Sequence, residues 1–149
     1  TSYKVYLTNP SIRAALFGIV RAQDPAMGRL VETAIWSQWL HSTDTIASLH
    51  YARWTEGRTD YEVDLVGLAA STQKPRFCVE IKWSDRAWSD WSELKGLRKF
   101  MAQHLLSRAP LVTTLTQSGT VEIDGKMVEF SPSSLHCYTI ARNLLQQAG

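Results

Sequence analysis

The segment DYEVDLVGLAASTQKPRFCVEIKW, residues 60–83, constrains this chain more than any other stretch. Two runs rich in Val, Leu and Ile, separated by a short polar loop, read as neighbouring β-strands. Each carries charge where a buried strand should not: Glu62 and Asp64 in the first, Glu80 and Lys82 in the second. Side chains alternate faces along a strand, so Glu80 and Lys82 share a face with Cα atoms about 6–7 Å apart. Glu62 and Asp64 share one by the same rule, opposite Tyr61, Val63 and Leu65. Buried charge must be paired or must hold an ion, so the two strands together have the form of a site.

A helical acid joins them. Met27, Leu30, Val31, Ala34 and Ile35 repeat at the 3.6-residue period and predict a helix from about Pro25, capped by Asp24, to Leu40. Glu32 lies three, four and seven positions before Ile35, Trp36 and Trp39, and so shares their side of the cylinder. Three acids and a lysine from separate elements can do one well-defined job. Carboxylates hold Mg²⁺, a hard ion that prefers oxygen ligands. The ion polarises a phosphodiester and activates water, and the lysine stabilises the charge that develops. Lys82 is expected to act electrostatically, because neighbouring acids keep its proton on. The alternative is a structural Glu80–Lys82 salt bridge, with Asp64 capping backbone or serving a turn.

The rest of the chain predicts one mixed α/β domain. Tyr3–Leu7 reads as a short strand, and Asn9-Pro10 opens a helix through Phe17 that Gly18 ends. Ser48–Thr55 reads as a strand turning at Glu56-Gly57-Arg58 into the strand Tyr61–Leu68, and Ala69–Pro75 as a loop. Arg76–Trp83 reads as a central strand, charged only at Glu80 and Lys82 on its later half. A helix follows over about Ser89–Leu106, with Trp91, Leu94, Leu97, Phe100, Met101 and Leu105 as its buried stripe. A crossover helix of this kind lays the next strand, Leu111–Thr116, parallel to the third. Thr120–Phe130 reads as a hairpin turning at Asp124-Gly125, and Ser134–Gln147 as a closing helix.

Composition narrows the setting. No apolar run approaches the roughly 20 residues that cross a bilayer, which argues against a membrane protein. Two cysteines, Cys78 and Cys137, without C-x-x-C spacing imply a reduced, cytoplasmic environment. A net charge of +2 does not mark a nucleic-acid binder. Lys95, Arg98 and Lys99 cluster at helical spacing, and Arg58 and Arg86 lie near the ends of the site strands; these two are the candidates for phosphate contact. His41, His50, His104 and His136 lack metal-ligand spacing. Trp83, Trp88 and Trp91 suit either core packing or base stacking. The chain opens at Thr1 directly into an apolar stretch, as either an excised domain or a chain without its leader would.

The order Glu (helix), Asp, Glu-x-Lys resembles the PD-(D/E)xK phosphodiesterase superfamily, which includes restriction enzymes and Holliday-junction resolvases. More closely, the chain is similar to the nuclease-like C-terminal domain of unknown function found in prokaryotic AAA-type P-loop ATPases. The motifs are KVYLTNPSIRAALFG, GRLVETAIWSQWL, LHYARW, EVDLV, VEIK and GLRKFM, covering Tyr3 to about Thr116. The resemblance implies a restriction-endonuclease-like fold, a mixed central sheet flanked by helices on both faces. It implies Glu32, Asp64 and Glu80 as ligands for Mg²⁺ or Mn²⁺, Lys82 as catalytic lysine, and Glu62 as a candidate accessory ligand. It implies a DNA substrate, and an N-terminal ATPase domain in the same chain as partner. No G-x-x-x-x-G-K-[ST] loop occurs here. An inactive adaptor that uses the same fold to bind DNA or protein is the alternative.

Overall fold

The computed structural model describes residues 5–41 and 47–147. Among them, four helices surround a six-stranded mixed sheet. Helix α1 spans Pro10–Phe17 and α2 spans Met27–Trp39; strands β1 (Leu49–Glu56), β2 (Thr59–Leu68) and β3 (Pro75–Glu80) follow. Helix α3 (Lys95–Gln103) leads to β4 (Leu111–Thr114), the hairpin β5 (Gly119–Ile123) and β6 (Lys126–Pro132), and α4 (Ser133–Gln147). The strand order is β1-β2-β3-β4-β6-β5. Strands β1, β2 and β3 run antiparallel in turn, β4 lies parallel to β3 and to β6, and β5 pairs antiparallel with β6.

Local chemistry accounts for most boundaries. The Asn9 side chain accepts the Ser11 N–H, Pro10 takes the first helical position, and Gly18 ends α1 at φ +87°. Asp24 accepts the Ala26 N–H at 2.8 Å, so the expected cap is present, although regular helix begins at Met27. Gly57 and the Asp124-Gly125 pair turn the two hairpins at positive φ. The β3–α3–β4 crossover gives the parallel pair that its length predicts.

Alternation on β3 and β4 separates two apolar layers. Cys78 and Val112 pack with Leu94, Leu97, Phe100 and Met101 on the α3 face. Val79 and Leu111 pack with Val31, Ile35 and Trp36 of α2 on the other, where Cys137 of α4 also lies. The sheet is therefore covered by helices on both faces.

Four expectations are corrected. Tyr3 and Lys4 lie outside the described residues, and Val5–Leu7 form no strand; Val5 is exposed while Tyr6 stacks on Trp36 with ring centroids 5.0 Å apart. The long helix from Ser89 shortens to Lys95–Gln103, preceded by 3₁₀ turns at Arg86–Trp88 and Trp91–Leu94. Asp90 caps the second turn, and His104 turns extended, which leaves Leu105 in solvent rather than in the buried stripe. Strand β3 stops at Glu80 rather than Trp83. Finally, Val63 and Leu65 do not share a face. Between the pairs His50↔Val66 and Ala52↔Val63, β2 supplies two residues, Asp64 and Leu65, against one, Tyr51. This bulge puts Val63 and Val66 in the α3 layer and Leu65 in the α2 layer. Bulges re-aim side chains in this way, and this one falls on Asp64.

Candidate active site

The site forms where β2 and β3 part. Their ladder runs from Leu68 to Leu65 opposite Pro75 to Val79 and goes no further. Beyond it, side chains satisfy the backbone. The Asp64 carboxylate accepts the Ile81 N–H at 2.8 Å. The Thr113 hydroxyl accepts the Lys82 N–H at 2.9 Å and donates to the Lys82 carbonyl at 3.0 Å. The Ser133 hydroxyl lies 3.3 Å from that carbonyl and 3.1 Å from that of Thr114, so its single proton is shared between them. The fork is thus held open by three polar side chains. Thr113 and Ser133 are both buried, and replacing Thr113 by Val should strand the Lys82 peptide groups. An unfolding titration is expected to show a loss of about 1–3 kcal/mol; no loss would mean that other groups hold the Lys82 peptide.

Into this fork the carboxylates converge. Oxygens of Glu32, Glu62 and Asp64 lie within 4.8 Å of one another, each side chain partly buried. Glu80 stands beside them, 7% exposed, with one oxygen 2.8 Å from the Lys82 ammonium. Its other oxygen is buried without a hydrogen-bond partner. The three-acid cluster is Glu32, Glu62 and Asp64, with Glu62 inside it. Glu80 stands outside that cluster, paired with Lys82. A cleft of about 300 Å³ is lined by Glu62, Asp64, Glu80, Lys82, Glu93 and Lys95, whereas Glu32 is not part of its lining.

The grouped acids carry mutually repelling charge. At an effective dielectric of about 20, two carboxylate charges some 5 Å apart repel by about 3 kcal/mol. Burial and the charge of Asp64 push the Glu80 carboxyl up to about 7, against the pull of Lys82. Burial acts to lower the Lys82 pKa, yet Glu80, Asp64 and Glu93 outweigh it and raise it. Lys82 therefore holds its proton more firmly than a free lysine, beside the Glu80 carboxylate. Cys78 is pushed up to about 12, by burial first and then by Glu80, which leaves it a packed apolar side chain rather than a nucleophile.

Other residues separate by surroundings. Arg58 sits exposed in the β1–β2 turn, away from the cleft lining. Arg86 pairs with Glu93 at 3.4 Å on its rim. Arg98 and Lys99 are committed to Asp124 and Glu56 at 2.7 Å each, so of that cluster Lys95 alone lines the cleft. Trp88 packs edge-on against Phe130, and Trp83 donates to the Ala22 carbonyl; Trp91, expected in the buried stripe, is exposed in the 3₁₀ turn before α3. Sequence reasoning missed Tyr6, whose hydroxyl donates to Glu32 at 2.5 Å, and also missed Thr113 and Ser133. A polar residue in an apolar strand, as at Thr113, was the available signal. Nothing local marked Tyr6, which acts 26 residues away.

Both cysteines are free, and no described helix is long and apolar enough to cross a membrane. No protein-family model, no curated protein and no solved structure matches the chain.

Proposed function

We propose that this chain is a Mg²⁺- or Mn²⁺-dependent phosphodiesterase domain of the nuclease type. One observation carries the reading: acids from α2 and β2 cluster at a strand fork beside the Glu80–Lys82 pair, with a buried Glu80 oxygen left without a partner. Such a constellation fits an ion. Glu32, Glu62 and Asp64, with Glu80, would hold it; when bound it supplies a polarised phosphodiester and an activated water. The chain's own residues do the rest. Asp64 and Thr113 fix the backbone on which Lys82 stands. Lys82 supplies positive charge toward the reacting phosphate and, held protonated, accepts no proton. Tyr6 orients Glu32.

The motif resemblance supplies what the geometry leaves open. It makes DNA the substrate, the two-faced mixed sheet a restriction-endonuclease-like fold, and an N-terminal AAA-type ATPase domain the partner; cysteine usage adds a cytoplasmic setting. Plasmid cleavage with Mg²⁺ and Mn²⁺ is the test. Lys82→Ala is expected to keep Mn²⁺ binding, read as a thermal shift, and to lose cleavage at least about a hundredfold. Asp64→Asn is expected to lose both. A wild type that binds Mn²⁺ but leaves supercoiled, linear and branched DNA intact would favour the inactive adaptor. A wild type with no Mn²⁺ shift at millimolar concentration would remove the basis of the metal site.

A further inference from the structure

At the opposite end of β3 from the acids lies a second, larger cavity. It has a volume of about 540 Å³ and sits among the end of α2, the starts of β3 and β4, and α4. Pockets that enclose small organic ligands span about 300–1,000 Å³. Phe77, Val79, Leu111 and Ile140 give this one an apolar lining. Trp39 stacks against Phe77 at 5.7 Å and extends the wall as a flat aromatic surface.

Its polar lining side chains are Arg76, Arg108, Glu129, His136, Thr139 and Asn143. Arg76 and Arg108 both line the cavity and are exposed. The Ser107 and Arg108 N–H groups donate to the Arg76 carbonyl at 3.0 and 3.2 Å, which joins the backbones at the two arginines. Neither guanidinium forms an ion pair among the described residues; that of Arg76 rests 6.0 Å from the Phe77 ring centroid. One acid, Glu129, also lines the cavity and engages neither arginine. In the walls, Trp39 Nε1 and His136 Nε2 are buried ring nitrogens without hydrogen-bond partners.

From this arrangement we infer that the cavity is a binding site for a small aromatic anion. The aromatic body lies against Trp39 and Phe77, and a carboxylate or phosphate monoester is held at the rim by Arg76 and Arg108. Guanidinium forks match both anions in bidentate geometry, and aromatic faces add offset stacking to the area buried. The site is separate from the acid fork and requires no metal.

The test uses the 149-residue chain without metal, titrated calorimetrically with 1-naphthoate, 1-naphthyl phosphate and neutral 1-naphthol. Saturable binding of either anion is expected with Kd below about 1 mM, and naphthol is expected to bind at least about tenfold more weakly. The stronger of the two anions identifies the head group. The double variant Arg76→Ala/Arg108→Ala, both exposed and so tolerated by the fold, should weaken the anions at least about tenfold and leave naphthol unchanged. Asp64→Asn should leave all three titrations unchanged. No saturable anion binding, naphthol binding as tight as the anions, or anion binding indifferent to the double variant would each overturn the inference.

Discussion

Glu80→Gln is expected to make the metal-free protein more stable at pH 8 and to abolish metal-dependent cleavage. Burial first, and Asp64 second, raise the Glu80 carboxyl from 4.5 to about 7. The folded state therefore holds a proton that the unfolded chain releases at lower pH. Stability falls as pH rises from about 4.5 through about 7, and the whole penalty stands above that. A glutamine keeps the shape and removes the charge. At pH 8 the variant should gain on the order of 1–3 kcal/mol, seen as a rise in Tm of several degrees. At pH 5, near the foot of that fall, the difference should shrink to a small fraction of its pH 8 value. Mn²⁺ should reverse the order at pH 8, stabilising the wild type by holding Glu80 ionised and stabilising the variant far less. Cleavage should drop by about a thousandfold, the scale of losing one preorganised charge at a reacting centre. A Tm difference that does not change between pH 5 and pH 8 would show that Glu80 does not carry the strain of the acid cluster.

The second large effect concerns Gly96, which a reading of motifs would pass over as the first letter of GLRKFM. A Cβ built on Gly96 would lie 2.1 Å from the Glu62 carbonyl oxygen and 3.1 Å from the Glu62 N and C atoms. The first turn of α3 is seated directly on the backbone that carries one acid of the cluster. Alanine would gain about 0.5–1 kcal/mol from helix propensity, but rigid backbone at that distance cannot yield as a flexible side chain would. Overpacking of this kind costs about 1–3 kcal/mol or more, and Leu94, Leu97, Phe100 and Met101, all buried, would be displaced with the helix. Gly96→Ala should therefore be destabilised by about 2 kcal/mol in urea and should bind Mn²⁺ more weakly, because Glu62 moves. Gly28 is the control: it lies in α2 with nothing within 4 Å of a built Cβ. Gly28→Ala should gain about 0.5–1 kcal/mol and leave Mn²⁺ affinity unchanged. Equal effects at the two glycines would show that the contact with Glu62 does not constrain α3.

Much of the fold was legible because periodicity and turn chemistry act over a few residues. Asn9-Pro10 and Gly18 bounded α1, Asp124-Gly125 marked its hairpin, and the β3–α3–β4 spacing gave a parallel pair. The misreadings share a cause, which is that distant partners overrode a local pattern. Asp64 and Thr113 take the N–H groups of Ile81 and Lys82, so a strand that looks continuous to Trp83 ends at Glu80. The same fork is what opens the site. Tyr6, read as strand, serves Glu32 and Trp36 instead.

The sequence by itself determined which charged groups stand within the apolar elements. Acids and a lysine within apolar strands, and a glutamate on the apolar side of a helix, must meet something, because unpaired charge is too costly to bury. Only the tertiary structure decided how they meet. The bulge at Asp64 and Leu65 breaks the two-residue alternation, Glu62 stands with Glu32 and Asp64, and Glu80 gives one oxygen to Lys82 while its other has no partner. Strand alternation is a local rule, whereas a bulge and a fork are set by what the neighbouring strands and helices leave room for.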